Sequence, residues 1–119
     1  MTSSDAGSGR DIEDILRLLL NARQLTQYYH FEQRPERVPL KIFNRTNVQI
    51  GKLELTAAGK PVQLVSNPND RAIEITRMDV GSDHAEIAFT FRIEGVVGAA
   101  SFKKVQNNWS MDKLRVGER

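Results

Sequence analysis

The chain has 119 residues, 39% hydrophobic and 27% charged, the balance of one globular domain large enough to bury a core. Seventeen Lys and Arg against fifteen Asp and Glu leave a net charge of only +2, and no basic run exceeds Lys103-Lys104. A nucleic-acid footprint needs clustered positive charge and is not expected. The absence of cysteine excludes disulfides, thiolate nucleophiles and Cys-ligated zinc.

Residues 1–10 are polar and Gly/Ser-rich. They lack the apolar stretch of a signal peptide and read as a disordered leader, either native or left by processing of an exported domain, so the compartment stays open. No segment approaches the roughly 20 apolar residues of a membrane span.

Residues 11–29 carry the spacing of one amphipathic helix. Ile12, Ile15, Leu16, Leu19, Ala22 and Tyr29 form an apolar stripe, widened by Leu18 and Leu25. Asp14, Arg17, Asn21, Gln24 and Gln27 take the opposite side, and no Gly or Pro interrupts the run. Asp11 suits a cap, and Glu13 and Asp14 place negative charge where the helix dipole favours it. Pro35 ends the helical region.

Beyond it the period changes. Val38 to Phe43 reads as a strand with Pro39 at an edge or at its very start, and Leu53 to Leu55 as a short strand. Ala57 to Pro61 is a turn before a strand over Val62 to Val65, and Asn67 to Asp70 is another turn. Strands follow over Ala72 to Val80, Ala85 to Ile93 and Val96 to Val105, and Trp109 to Val116 closes the chain. Ala85, Ile87, Phe89, Phe91 and Ile93 alternate with polar or small residues, which fixes the core face.

A two-residue Glu94-Gly95 turn would set Phe91 opposite Gly98 and Phe89 opposite Ala100, large against small. Asn107-Asn108 would form the next turn. Apolar phase slips predict β-bulges at Thr76-Arg77 and at Asp112-Lys113, and two bulges bend a sheet. The fold class expected is α+β, an N-terminal helix packed on a curled antiparallel sheet over residues 11–119.

The run Ala85-Glu86-Ile87-Ala88-Phe89-Thr90-Phe91, the following Glu94-Gly95-Val96-Val97-Gly98, the pair Lys103-Lys104 and the segment Asn107-Asn108-Trp109-Ser110-Met111 resemble the end of cystatin-like and NTF2-like domains. The resemblance covers the last third of the chain. It implies a helix seated on a curled meander. The middle lacks the further helices of a standard NTF2-like domain, so the simpler cystatin-like arrangement fits better. Such folds host enzymes, small-molecule binders and protein-binding modules alike, so the resemblance leaves function open.

Tyr28-Tyr29-His30-Phe31-Glu32 gathers side chains that could hold a polar ligand or transfer a proton at a cleft mouth. The simpler reading is that Tyr29 and Phe31 close the core while His30 caps helical carbonyls. His84 beside Asp83 lacks metal-ligand spacing, and no metal or other cofactor is implied. Glu86, Thr90, Arg92 and Glu94 form a polar stripe expected on the outer sheet face, and Trp109 reads as core or as an interface anchor.

No catalytic motif is present. The leading expectation is a non-catalytic binding or accessory domain that engages a protein or peptide partner through the sheet face or the helix–sheet concavity. Tyr28, Tyr29, His30, Arg92 and Trp109 are its candidate contact residues. The rival expectation is a small-molecule or enzymatic pocket with Tyr28, Tyr29 and His30 at its mouth. Homodimerisation through the sheet face is the third.

Overall fold

The computed structural model describes residues 9–51 and 54–118. Helix α1 (Gly9–Leu20) starts two residues before the expected boundary, and the remainder of the leader, 1–8, lies outside the described residues. Ile12, Ile15, Leu16, Leu19 and Leu20 are buried, while Arg17 is exposed and pairs with Glu13 and Asp14.

The single long helix expected over 11–29 does not form. The chain turns extended at Ala22 (φ −67°, ψ 136°), and only the short α2 (Arg23–Thr26) follows. Asn21 supplies the reason. Its amide donates to the carbonyls of Arg17 and Thr56 and accepts from the backbone N–H of Ala58. One polar side chain thus satisfies a helix-end carbonyl and ties that end to a hairpin 35 residues away. Periodicity carries no trace of this, because Leu25 and Tyr29 still fall on the buried side.

The strands are β1 (Leu40–Asn44), β2 (Thr56–Ala57), β3 (Lys60–Val65), β4 (Ile73–Val80), β5 (His84–Phe91), β6 (Val96–Val105) and β7 (Asn108–Glu118). They form one curled, half-barrel sheet in the order β2-β3-β1-β4-β5-β6-β7. β4 to β7 make the expected antiparallel meander. The expectation of a wholly antiparallel sheet is corrected at β1, which lies between β3 and β4 and runs parallel to both. Pro39 therefore marks a start and not an edge, since it precedes the ladder and withholds no N–H from it. Of the short strand expected at Leu53 to Leu55, Leu53 lies outside the described residues, and Leu55 is buried just ahead of β2. Ala58 and Gly59, both at positive φ, form the turn between β2 and β3.

Both bulges are present. The β4–β5 register shifts between Ile75 and Arg77, and the β6–β7 register shifts so that Asp112 is the extra residue. Two tight connections differ from expectation. The β5–β6 link is the helical turn Arg92–Glu94 closed by Gly95 at φ 66°, and the β6–β7 turn is Gln106-Asn107. A two-residue turn of the favoured type would need positive φ at Glu94, whereas the longer link needs it only at glycine.

The pairing consequently slides by two residues. Phe91 faces Val96, Phe89 faces Gly98, and Ile87 faces Ala100. A slip of two preserves every side chain's face, so the core is the expected one, except that Ile93 leaves the strand and is 39% exposed. Large still opposes small. A Cβ on Gly98 would lie 2.4 Å from Phe89 Cζ, so the ring occupies the space that a side chain would need.

The inner sheet face and the helices enclose one core containing Tyr29, Leu40, Ile42, Ile73, Ile75, Ile87, Phe89, Phe91 and Phe102. Among the described residues no helix is long and apolar enough to cross a membrane.

Candidate functional site

The five residues singled out from sequence do not converge. Tyr29 is buried and donates its hydroxyl to the Leu20 carbonyl at 2.7 Å, and its ring packs on Phe31 and edge-on to Phe91. Burial pushes its phenol pKa well above the ordinary value, so it remains a protonated donor inside the core. Tyr28 is half-buried against that core.

His30 sits at φ 55° with its imidazole 45% exposed, 3.3 Å from Glu94 Oε1. The capping role expected of His30 falls to Arg37, whose Nη1 donates to the carbonyls of Tyr28 and Tyr29 while Nη2 reaches Glu94 at 2.9 Å. The hollow beside His30, about 370 Å³, is bounded by Thr26, Glu32, Gln33 and Lys60. Tyr29 borders that hollow, but its hydroxyl is committed to Leu20 inside the core.

Arg92 is in the β5–β6 connection, exposed and 3.7 Å from Asp70, and so is not on the strand face. Trp109 stands near the other end of the sheet, by the β6–β7 turn. It is buried, with Nε1 donating to Asp11 at 2.9 Å, and Lys104 Nζ reaches the same carboxylate at 3.0 Å. Asp11 therefore ties the first turn of α1 to the β6–β7 hairpin. The eight residues of β5 set these two ends roughly 25 Å apart. Among the described residues no group of three His, Asp or Glu side chains could hold a metal ion.

The outer face of the meander is where unassigned chemistry gathers. One row across the sheet reads Arg77, Ala88, Ala99, Arg115, and the adjacent row reads Asp79, Glu86, Ser101, Lys113. Ala88, Ala99 and Ser101 are too short to cover the backbone, so the cations stand as walls around a shallow groove of about 220 Å³. The two walls differ in electrostatics. Arg77 is paired with Asp79 at 2.8 Å and with Glu86 at 3.5 Å. Lys113 and Arg115 are exposed, and neither makes an ion pair among the described residues. A larger hollow beside His84 has Asp79 and Glu86 in its lining, but both acids already have cationic or imidazole partners.

The Asp112 bulge puts those cations where they are. Trp109 and Met111 point inward. An unbulged strand would send Lys113 and Arg115 inward too, but the extra residue inverts the alternation. Leu114 and Val116 then join the core, and the cations emerge opposite Ser101 and Ala99. The apolar phase of β7 marks the bulge in the sequence, but the face it gives Lys113 and Arg115 emerges only with the strand pairing. Two alanines at outward positions of neighbouring strands were the available signal.

Elsewhere on the outer face Glu74 is buried, with a side chain only 3% exposed. Arg45 compensates it, with Nε at 2.9 Å and Nη2 at 3.4 Å, and lies over the Phe43 ring. The hydrogen bond to Glu74, reinforced by its charge, raises the Arg45 pKa above its ordinary value. This cluster is internally satisfied and offers a ligand nothing.

No protein-family model matches the chain, and comparison with curated proteins and with solved structures returns no match.

Proposed function

We propose that the chain is a non-catalytic binding domain that engages a protein or peptide partner through the outer face of β4 to β7. The observation that carries this is the groove floored by Ala88, Ala99 and Ser101, with two cations on its β7 wall that have no ion-pair partner among the described residues. Exposed charges that no internal carboxylate neutralises are available to a partner, and a floor of small residues allows close approach. The helix–sheet concavity is filled by α1 and the aromatic core, which leaves the outer face as the contact surface. A pocket reading centred on Tyr28, Tyr29 and His30 has weaker support, since Tyr29 is spent on Leu20 and His30 faces Glu94. Kinship with cystatin-like or NTF2-like folds belongs to the same proposal. The helix on a curled meander supports it, and parallel β1 departs from it.

The test is affinity capture followed by native mass spectrometry, comparing the full chain with Ala99→Glu. Ala99 is exposed, so the substitution leaves the core intact while it fills the floor and neutralises the cationic wall. A partner captured by the wild type and lost by the folded variant supports the reading. An identical set of captured proteins, or none from either form, counts against it.

A further inference from the structure

The β7 strand combines two features that together specify what a partner would look like. It is the last strand of the sheet order, so one side of its backbone ladder pairs with β6; among the described residues no strand lies beside the other, although α1 and α2 approach β7. Beyond the Asp112 bulge it runs regularly from Lys113 to Glu118, pairing residue for residue with β6. Along this segment Lys113 and Arg115 rise on the outer face two residues apart, roughly 7 Å, without ion-pair partners among the described residues.

We infer that β7 accepts an extended acidic segment of a partner protein as an added strand, with Asp or Glu side chains at alternate positions resting on Lys113 and Arg115. The inference rests on the sheet-face reading above and names its partner chemistry. Main-chain pairing along an exposed sheet edge supplies affinity, and alternate side chains supply selectivity. The 7 Å spacing of the cations is the repeat of alternate residues in an extended peptide.

The same cations act against a second copy of this chain. Antiparallel pairing of two β7 strands about Leu114 would set Lys113 of each opposite Arg115 of the other, and like charges directly opposed are destabilising. Charged side chains and a bulge on an edge strand are the usual protection against self-association. What protects β7 from its own kind is attractive to a strand of opposite charge.

The experiment uses the ¹⁵N-labelled full chain and a blocked nine-residue peptide of alternating Glu and Thr, with a Lys/Thr peptide of the same length as control. Binding of the Glu peptide should shift the amides of residues 113–118. It should also slow hydrogen exchange at alternate amides of that segment, which charge attraction alone leaves unchanged. The Lys peptide should do neither. Lys113→Ala with Arg115→Ala should weaken binding about tenfold, the combined strength of two exposed ion pairs near the upper end of their range.

No shift along 113–118 at millimolar peptide, or unaltered affinity in the doubly substituted chain, overturns the inference. So does a concentration-dependent dimer that produces the same shifts without peptide. If the peptide fails at β7 while Ala99→Glu still abolishes partner capture, the sheet-face reading stands and the edge inference alone falls. If the peptide binds β7 and capture is indifferent to Ala99→Glu, the outer groove is what fails.

Discussion

The two halves of the sheet are built on different principles. From β4 to β7 each strand pairs with its sequence neighbour through a short connection. From β1 to β3 the pairings skip. β1 finds β3 only after the β2 hairpin and finds β4 later still, parallel in both cases. Local antiparallel pairing fixes register through turn geometry, whereas parallel pairing requires distant segments to meet and rests on the shared core. The meander should therefore behave as the stable unit, and β1 to β3 as the part that depends on it.

A charge in the centre of the meander should have the largest effect. Phe89→Asp removes a fully buried ring, which alone costs about 3–5 kcal/mol, and leaves an unpaired carboxylate in the core. The expected outcome is loss of the native far-ultraviolet dichroism and of a cooperative melt. Ile42→Ala tests the other half. It should cost about 2–5 kcal/mol, and hydrogen exchange should show β1 and β3 opening while β5 and β6 stay protected. Equal loss of protection in both halves would show that they unfold as one.

Gly98→Val sharpens the register within the meander. It should cost about 1–3 kcal/mol through overpacking against Phe89 and the Arg115 carbonyl. Phe89→Leu should recover part of that cost in a double-mutant cycle, and Phe91→Leu should recover none. The reverse pattern would restore the pairing of Phe91 with Gly98.

Tyr29→Phe should cost about 1 kcal/mol at neutral pH, because the Leu20 carbonyl loses its donor. Burial raises the phenol pKa in the folded state, so the folded chain keeps a proton that the unfolded chain releases. The resulting stability is complete below the unfolded value near 10.0 and declines as pH rises beyond it. Denaturant titrations at pH 7 and above 10 should show the gap between wild type and variant narrowing at high pH. The smallest effect is Thr90→Lys, expected within about 0.5 kcal/mol in the same titration, since Thr90 lies on the outer face beside Glu74 and a cation there meets a carboxylate. Thr90→Asp would bring like charges together and should be worse.

The same contrast explains what could be read in advance. The alternation of Ala85, Ile87, Phe89 and Phe91 identified the core face of β5 and its neighbours, and apolar phase slips located both bulges. Register missed by two because the β5–β6 link is longer than the tightest turn, and a two-residue slip leaves no mark on the face pattern. Parallel β1 was not legible, since Leu40 and Ile42 would be buried equally in either direction. The candidate site was the least legible part. Tyr28 to His30 stand out by residue type, whereas the groove depends on Ala88, Ala99 and Arg115, unremarkable until strand pairing sets them in one row.

By itself the sequence determined the α+β class, the buried face of α1, the order and faces of the meander strands and the sites at which the sheet bends. These follow from periodicity and local backbone chemistry, which act over a few residues. Only the tertiary structure decided that Asn21 ends the helix by reaching Thr56, that Arg37 caps the carbonyls of Tyr28 and Tyr29, that β1 inserts between β3 and β4, and that Lys113 and Arg115 stand beside a small-residue floor with no ion-pair partner among the described residues. Each depends on residues far apart in the chain meeting at hydrogen-bond or strand-pairing distance, and no local pattern encodes which distant partner a polar side chain will find.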